Sequence, residues 1–572
     1  MPRNNNIIPF PQHKTSGEIY QKSLDEQIEH IMHLPAPDRI KAIAESPNPE
    51  ALVRRFPEQD FYITLKEVDL SDALVLVRNA NPSQLKFLFD LEWWEKYLPE
   101  EEKAWEWLEF LRVNAPRQLL MWLSNVDVEL LISLLKKWLV LEKVPDPDDI
   151  DFVEATDKLP PHTIDNIYYW NAKKGDKLPL LKTILATLFE LDRKLYFQVM
   201  EGVIWGIQAE LEEDAYRWRK GRLEDLAIPD FYDALEIYKD IEPGELYSKH
   251  FLNKKSTVIQ RPDITPSIYP LVLLPGRNLL AKAVEQIEDL EVLNFLKIEF
   301  ASLANKIIVA DRLSLGDSES MRKAVEKVVS YVELGLEQGG IVSVREAVEF
   351  LKSYPLESVF RVGFTIVKRL KKRAQQLIEK GWISNWPHKT LILQAPYQSL
   401  LEALIPPDPQ CLEITPEGGL LTKPFSTLEE ILWTEGKLRE IEFMGEIYHA
   451  LNVDYNQIVQ NLWPLGQPGE PTEIKIDDII ITAIANKEIR GEYSCLPIPR
   501  TEIPCALRSL GQSSEILAGK FVSEIQFSSD SAMQVIASYV EVVLDQFKEN
   551  FSGIKDLETI DPRYLEGILV KK

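Results

Sequence analysis

The feature that most constrains this sequence is a proline-free run from Leu180 to about Lys220, in which apolar residues recur at helical spacing. The spacing predicts one long helix or two collinear helices. Between Phe197 and Ile207 the apolar residues fall on nearly every side of the predicted helix, which is typical of a helix enclosed by others. Glu201 interrupts them, so we expect a carboxyl group inside an apolar enclosure.

The same geometry predicts a polar line along this stretch. With about 100° per residue, one narrow stripe contains Lys194, Glu201, Gln208, Glu212 and Arg219. An enclosed glutamate has a raised pKa unless it is paired with a cation. Two interpretations stay open. Glu201 and the carboxylates that follow it hold a divalent cation, or Glu201 pairs with a buried Arg or Lys. In the second interpretation Glu213 and Asp214 bond to Arg217 one turn later.

A basic cluster beside the stripe is a third candidate. Its arginines alternate with Tyr216 and Trp218, so the cluster can grip a small anionic ligand by charge and stacking. No catalytic residue, metal ligand or cofactor is predicted, because the sequence contains no GxSxG, Walker A, GxGxxG or HExxH motif. The ligand-binding candidates are therefore Glu201, Gln208, Glu212, Arg217, Arg219 and Arg222.

Charge and composition exclude several classes of protein. A net charge of -25 at pH 7 argues against binding to nucleic acid, which demands a concentrated basic surface. No run reaches the roughly 18 apolar residues of a membrane span, and the N-terminus lacks the apolar segment of a secretory signal. The three cysteines, Cys411, Cys495 and Cys505, are too widely spaced for a disulfide framework and are expected to be buried free thiols. These features predict a soluble, cytoplasmic protein.

The domain organisation is predicted from the length of the chain and from its proline-rich and polar segments. A chain of 572 residues exceeds what one hydrophobic core usually supports. The prediction is an all-α fold with a flexible arm at 1–17, a helical-repeat domain at 18–145, a central long-helix domain at 146–386 and a mostly helical C-terminal domain at 387–572. An acidic linker, VPDPDDID, is expected at 144–151. The stretch TEIKIDDIIITAIANKEI at 472–489 is either a short strand or a buried helix, because periodicity alone does not decide.

Short amphipathic helices are expected from Pro35 to Val140, each opened by a proline or an acidic residue. Segments such as PNPEALVRRF, NPSQLKFLFDL and NVDVELLISLLKKWL are too short to be stable alone and must stack on their neighbours. This succession of short amphipathic helices resembles the cytosolic N-terminal superhelix of the MgtE-type magnesium transporters and the helical repeats of the flagellar motor switch protein FliG. The resemblance implies an α-solenoid-like stacking domain, and not transport.

A second resemblance covers most of the chain. The segments NNNIIPFP, PEALVRRFPEQDFYITLKEV and RWRKGRLEDLAIPDFYDALEIY resemble an uncharacterised bacterial family that is known only as a domain of unknown function. This resemblance implies no catalytic residue, because no activity is established for that family.

These observations favour a non-enzymatic cytoplasmic scaffold or regulatory protein that binds a protein partner through its helical surfaces. Most of the 13 tryptophans lie between Trp93 and Trp218, and large aromatic side chains serve both as core filler and as interface anchors. The alternative is an enzyme, or a sensor of a small ligand or divalent cation, with a polar site on the central helix around Glu201.

Overall fold

The computed structural model describes residues 23–145, 158–246, 267–274, 276, 278–462, 474–551 and 565–571. In this part of the chain helices dominate and the strands are few and short, so the predicted all-α fold is confirmed. Two compact units are present: residues 1–332 with 340–361, and residues 333–339 with 362–572. The predicted arm at 1–17 and residues 146–151 of the predicted linker lie outside the described residues.

The first unit begins with six short helices. They are α1 (Leu24–Met32), α2 (Ala36–Ala44), α3 (Pro49–Arg55), α4 (Glu58–Lys66), α5 (Leu74–Asn79) and α6 (Pro82–Glu92). Their starts are determined by local chemistry. Ser23 and Glu26 form a capping box at the start of α1, as Asn81 and Gln84 do at α6, and the carboxamide of Asn48 caps α3. These side chains satisfy backbone N–H groups that have no partner within their own helix.

Each of the helices α1 to α4 contacts the helix two further along the chain, so that α1 packs against α3, α3 against α5, and α4 against α6. Apolar side chains such as Leu52, Phe61 and Leu85 are fully buried between them. A polar group completes the packing: the buried Gln84 amide donates to the carbonyls of Val53 and Phe56, at 2.7 and 2.8 Å. Val53 lies in the last turn of α3 and Phe56 directly follows that helix, where carbonyl groups lack the i+4 N–H partner of a helix interior.

Three helices and two small sheets follow. They are α7 (Glu101–Asn114), α8 (Pro116–Leu123), α9 (Val128–Trp138), a hairpin of β1 (Trp94–Glu95) and β2 (Leu98–Pro99), and a sheet of β3 (Leu139–Lys143), β4 (His162–Thr163) and β5 (Tyr168–Ala172). The strands of this sheet are antiparallel in the order β3-β5-β4. Their register sets Lys143 opposite Tyr168.

The proline-free stretch is not one helix or two collinear helices, and that prediction is wrong. It forms α10 (Leu178–Leu191), α11 (Arg193–Trp205) and α12 (Gln208–Asp225). At Asp192 the backbone is extended (φ -152°, ψ 105°), and its carboxylate accepts hydrogen bonds from the N–H groups of Lys194 and Leu195, at 2.8 and 3.2 Å. The second break is at Gly206, where a Cβ atom would lie 2.5 Å from the carbonyl oxygen of Gly202. Both breaks leave the apolar periodicity intact, so periodicity did not reveal them.

The next helices complete the first unit and lead into the second. They are α13 (Phe231–Ala234), α14 (Pro243–Leu246), α15 (Tyr269–Val272), α16 (Leu279–Glu285), α17 (Leu290–Ala310), α18 (Ser318–Gln338), α19 (Val344–Ser353) and α20 (Leu356–Glu379). Helix α17 packs against α13 and α15. A buried carboxylate on α4 fixes α15 from a distance, because Asp60 accepts hydrogen bonds from the Ser267 hydroxyl and from the N–H of Ile268 at 2.8 Å. The helix therefore receives its N-terminal cap from another part of the chain.

The second unit contains a two-stranded hairpin and further helices. They are α21 (Tyr397–Leu404), β6 (Gln410–Ile414), β7 (Leu420–Pro424), α22 (Leu428–Ala450), α23 (Tyr455–Asn461), α24 (Ile476–Arg490), α25 (Ile503–Leu510), α26 (Ser514–Glu524) and α27 (Asp530–Phe551). Helix α24 resolves the choice left open for 472–489: residues from Ile476 onward form a buried helix that ends at Gly491, whose φ is +85°. Helix α27 packs against α22, α24 and α26.

The helices of the described ranges are short or polar compared with a membrane span. None of these helices alone is long and apolar enough to cross a bilayer, and only α8 and α9, which meet at 115°, reach the required length and hydropathy as a pair.

The cysteines are free, as predicted, but they are not all buried. Cys411 and Cys495 are buried, whereas Cys505 is exposed, so the expectation of burial is wrong for Cys505. It lies on α25, which turns its apolar face, including Ile503 and Ala506, into the unit and leaves Cys505 outside.

Candidate functional site

The break at Gly206 divides the predicted polar line, because Glu201 lies on α11 and Gln208 lies on α12. Glu201 has three partners. One carboxylate oxygen accepts from the Lys143 ammonium at 2.7 Å and from the Tyr168 hydroxyl, and the other accepts from the Trp205 indole N–H at 2.9 Å. The register of β3 and β5, which sets Lys143 opposite Tyr168, brings both groups to the same oxygen.

The environment of Glu201 differs from the predicted enclosure. Its side chain is 38% exposed, and Trp205, one turn later, is 76% exposed. Helix α11 is therefore not surrounded on all sides. The hydrogen bonds from Lys143 and then Tyr168 hold the pKa of the Glu201 carboxyl below its ordinary value. Of the two interpretations of Glu201, the paired one describes the structure, although Lys143 is about half exposed and not buried.

Gln208 and Glu212 form a separate group on the first turns of α12. The Gln208 amide donates to Glu212 at 2.7 Å and to the Ser133 hydroxyl at 3.0 Å, and Glu212 pairs with Lys137 at 2.7 Å. Ser133 and Lys137 both belong to α9. These contacts tie α12 to α9 and do not involve Glu201.

The three arginine candidates are occupied by groups of the chain itself. Arg217 pairs with Glu213 at 2.5 Å and Asp214 at 3.6 Å, which confirms the predicted local pairs. Arg219 donates to the carbonyl of Asp90 at 2.6 Å and lies over the Trp94 ring.

Arg222, the third arginine, is bonded to two carboxylates. Its guanidinium makes two hydrogen bonds to Asp90, at 2.7 and 2.8 Å, and one to Asp127 at 2.6 Å. The arginines therefore do not converge on a shared opening where an anionic ligand could bind.

Within the described ranges, Glu201 and the carboxylates at 210–214 that follow it do not gather into a metal site. The group of carboxylates that comes within 4.8 Å is instead Glu224, Asp230 and Asp233, near the end of α12. The ammonium of Lys220 lies 2.5 Å from Asp230 and 3.5 Å from Glu224, so a cationic group of the chain already offsets part of the charge of this cluster.

The chain leaves helical conformation at Gly206 and Ile207, between α11 and α12, and we call residues 205–207 the exposed bend. Two large apolar side chains are exposed there. Trp205 is 76% exposed and Ile207 is 59% exposed, on either side of Gly206. The indole of Trp205 is oriented by its hydrogen bond to Glu201. An exposed aromatic side chain with a fixed orientation is typical of an interface anchor.

The chain matches one known family over almost its whole length. The model of a family of unknown function, DUF6178, matches residues 16–571. The chain belongs to this family. The resemblance to a domain-of-unknown-function family is thereby confirmed, and membership of this family implies no activity. Comparisons with curated proteins and with solved structures give no match.

In this DUF6178 member, sequence reasoning found Glu201 but missed the two residues that hold it, Lys143 and Tyr168. No local pattern reveals them, because strand pairing and packing against α11 bring them there. Trp205 had a local signal, since it lies four residues after Glu201, within reach on one helical face.

Proposed function

We propose that this chain is a non-enzymatic binding protein that holds a protein partner at the exposed bend, with Trp205 and Ile207 as apolar anchors. One observation carries the proposal: Trp205 is largely exposed, yet its indole is fixed by a carboxylate that is itself held by Lys143 and Tyr168. A side chain that is oriented before binding loses less entropy on association.

The partner that fits this bend is a protein with an apolar pocket and basic residues around it. Helix α12, which follows the bend, carries Glu210, Glu213 and Asp214 on exposed positions, and the chain has a net charge of -25. Complementary charge increases the rate of association and disfavours acidic partners. Burying most of the Trp205 indole supplies the apolar contact at the centre of such an interface.

A small-ligand or divalent-cation site at Glu201 is the alternative, and the contacts favour the protein partner over it. Both Glu201 oxygens already accept hydrogen bonds, and the hydrogen-bonded neighbours include an ammonium and a phenol. A cation would have to displace Lys143 to reach the carboxylate.

The setting of this function is also a proposal. We infer that the described part of the predicted domain at 18–145, from residue 23 onward, forms a stacked helical platform of the kind that the MgtE-type resemblance implies, because α1 to α4 each contact the helix two further along. An experimental structure in which these helices share no repeating unit would contradict it.

We also propose that the protein is cytoplasmic, because its free cysteines fit a reducing compartment. Fractionation of cells that recovers the chain outside the cytoplasm would contradict that assignment.

The test is affinity enrichment with the full-length chain as bait, followed by reconstitution with the purified partner. Trp205→Ala should weaken the reconstituted complex by about 2 kcal/mol, which is roughly a 30-fold higher Kd. Ile207→Ser should weaken it in the same direction. Glu201→Gln should have a smaller effect, because it loosens the indole without removing it.

Trp218→Ala is the matched control, since Trp218 is 59% exposed on the same helix pair but lies away from the bend. The complex should tolerate this substitution. A partner that binds wild type, Trp205→Ala and Ile207→Ser equally would overturn the proposal. Turnover of a metabolite by the purified chain would contradict the non-enzymatic part of it.

A further inference from the structure

The second unit contains a cavity of about 420 Å³ at the start of α24, between that helix, α27 and residues 565–569. Its volume falls within the roughly 300–1,000 Å³ of small-molecule sites. Gly567 allows residues 565–569, which form one wall of the cavity, to pack closely against α27. Its φ is +87°, and a Cβ atom there would lie 2.8 Å from the ring of Phe547. The Leu569 N–H donates to the Thr482 hydroxyl at 2.8 Å and holds this wall against α24.

Two carboxylates from the first turn of α24 line the cavity. Asp477 is 7% exposed, and one of its oxygens accepts from the Tyr539 hydroxyl. Asp478 accepts from the backbone N–H of Lys475 at 2.9 Å, which closes the helix cap. Within the described ranges, the second oxygen of each aspartate receives no hydrogen bond from the chain. Two carboxylate oxygens are therefore available to a molecule in the cavity.

The rest of the lining is apolar or adds negative charge. Ile481, Val543 and Phe547 supply hydrocarbon surface, and Glu566 supplies a third carboxyl group. Lys475 is the basic group among the described lining residues. Its ammonium donates to the Leu391 carbonyl at 2.8 Å and reaches the Gln398 amide oxygen at 3.5 Å.

We propose that this cavity binds a small aliphatic amine, whose ammonium group bonds to Asp477 and Asp478 while its hydrocarbon part contacts Ile481, Val543 and Phe547. Asp477 is buried and Asp478 is half-buried. Such a pair of carboxylates attracts a cation, and apolar walls select a cation that carries hydrocarbon. Magnesium or calcium fits less well. Either ion needs about six oxygen ligands, and in the described part of the chain three acidic ligands converge at Glu224, Asp230 and Asp233 and not here.

Binding should depend on pH. Burial raises the pKa of Asp477 to about 6 and of Asp478 to about 7. The titratable groups that face them are Lys475, whose charge lowers both values, Tyr539 and Tyr397 beside Asp477, and Glu566, whose charge raises the pKa of Asp478. An ammonium group that binds here replaces a proton, so the affinity increases as the pH rises toward 8.

Titration calorimetry of the full-length chain tests this. The probes are butylamine and 1,4-diaminobutane, with butan-1-ol as the neutral analogue, butyrate as the anionic analogue, and magnesium chloride. The amines should bind, and the other three probes should not. Affinity for the amines should be at least tenfold higher at pH 8.0 than at pH 5.5, because a carboxyl with a pKa of about 7 is almost wholly protonated at the lower pH.

Asp478→Asn removes one charge and keeps an oxygen for the helix cap, and it should weaken amine binding at least tenfold. Glu515→Gln removes the same charge from an exposed position of the second unit and should leave binding unchanged. Absence of amine binding at millimolar concentration, magnesium binding in place of amine binding, or unchanged binding by Asp478→Asn would each overturn the proposal. If Asp478→Asn does not fold, the wild-type comparison at the two pH values decides: an affinity that is equal at both overturns it.

Discussion

The guanidinium of Arg222 donates two hydrogen bonds to the carboxylate of Asp90, at 2.7 and 2.8 Å, although the two residues lie 132 positions apart in the sequence. The Asp90 side chain is only 4% exposed. Burial raises the pKa of its carboxyl, and the hydrogen bonds from Arg222 oppose that rise. This pair joins α12 to α6 and fixes the helix that follows the exposed bend.

Arg222→Met should destabilise the first unit by about 3 kcal/mol, because it leaves the Asp90 carboxylate buried without its cation. Urea unfolding followed by tryptophan fluorescence measures this, since most tryptophans lie in the first unit. Arg217→Met is the control. Its ion pairs are exposed and should contribute less than about 0.5 kcal/mol. Equal stability of both variants would show that the Arg222 pair adds nothing.

The Arg222 pair also shows where sequence reasoning stops. Pairs within a helix were predictable: Glu213 and Asp214 bond to Arg217 because residues three and four apart share a face. The partners of Arg222 and Glu201 were not predictable, since only tertiary packing brings them together. Helical spacing likewise predicted the all-α fold, but it did not reveal the break at Asp192, where a polar cap ends one helix and starts another without disturbing the apolar pattern.

Gly202 allows close packing of α11 on α9. A Cβ atom at this position would lie 2.4 Å from the Cδ1 atom of Ile132, which is buried, and within 3.2 Å of two further Ile132 atoms. Gly202→Ala should therefore destabilise the first unit by about 1–3 kcal/mol, measured by the same urea unfolding.

Gly221→Ala is the matched substitution on α12, where a Cβ atom meets nothing within 4 Å. It should stabilise the unit by up to about 1 kcal/mol, because alanine favours the helix over glycine. The packing argument fails if Gly202→Ala stabilises the protein as Gly221→Ala does.

The cysteines should differ in reactivity. Burial raises the pKa of both Cys411 and Cys495 to about 12, whereas Cys505 is exposed. Because the thiolate is the reactive form, Ellman's reagent should modify one thiol per native chain and three in denaturant. Cys505→Ser should abolish the native reaction. Rapid modification of two or more thiols in the folded chain would contradict the burial of Cys411 or Cys495.

Asp60 should make the first unit more stable as the pH falls. Burial raises the pKa of its carboxyl from 3.8 to about 6, against the opposing effects of its bond from Ser267 and of the charge of Arg39. The folded state therefore holds a proton that the unfolded state has released between these values. This contribution is fully present below pH 3.8 and is lost as the pH rises through 6.

The measurement is the free energy of unfolding of wild type minus that of Asp60→Asn, followed from pH 4 to pH 7. The difference should fall by about 2.5 kcal/mol over this range, which is most of the about 3 kcal/mol that two pKa units at about 1.4 kcal/mol each supply. Glu201→Gln is a control of opposite sign. The pKa of Glu201 is lowered, so its contribution is lost as the pH falls. A difference for Asp60→Asn that stays constant with pH would mean that this carboxyl is equally ionised in the folded and unfolded states.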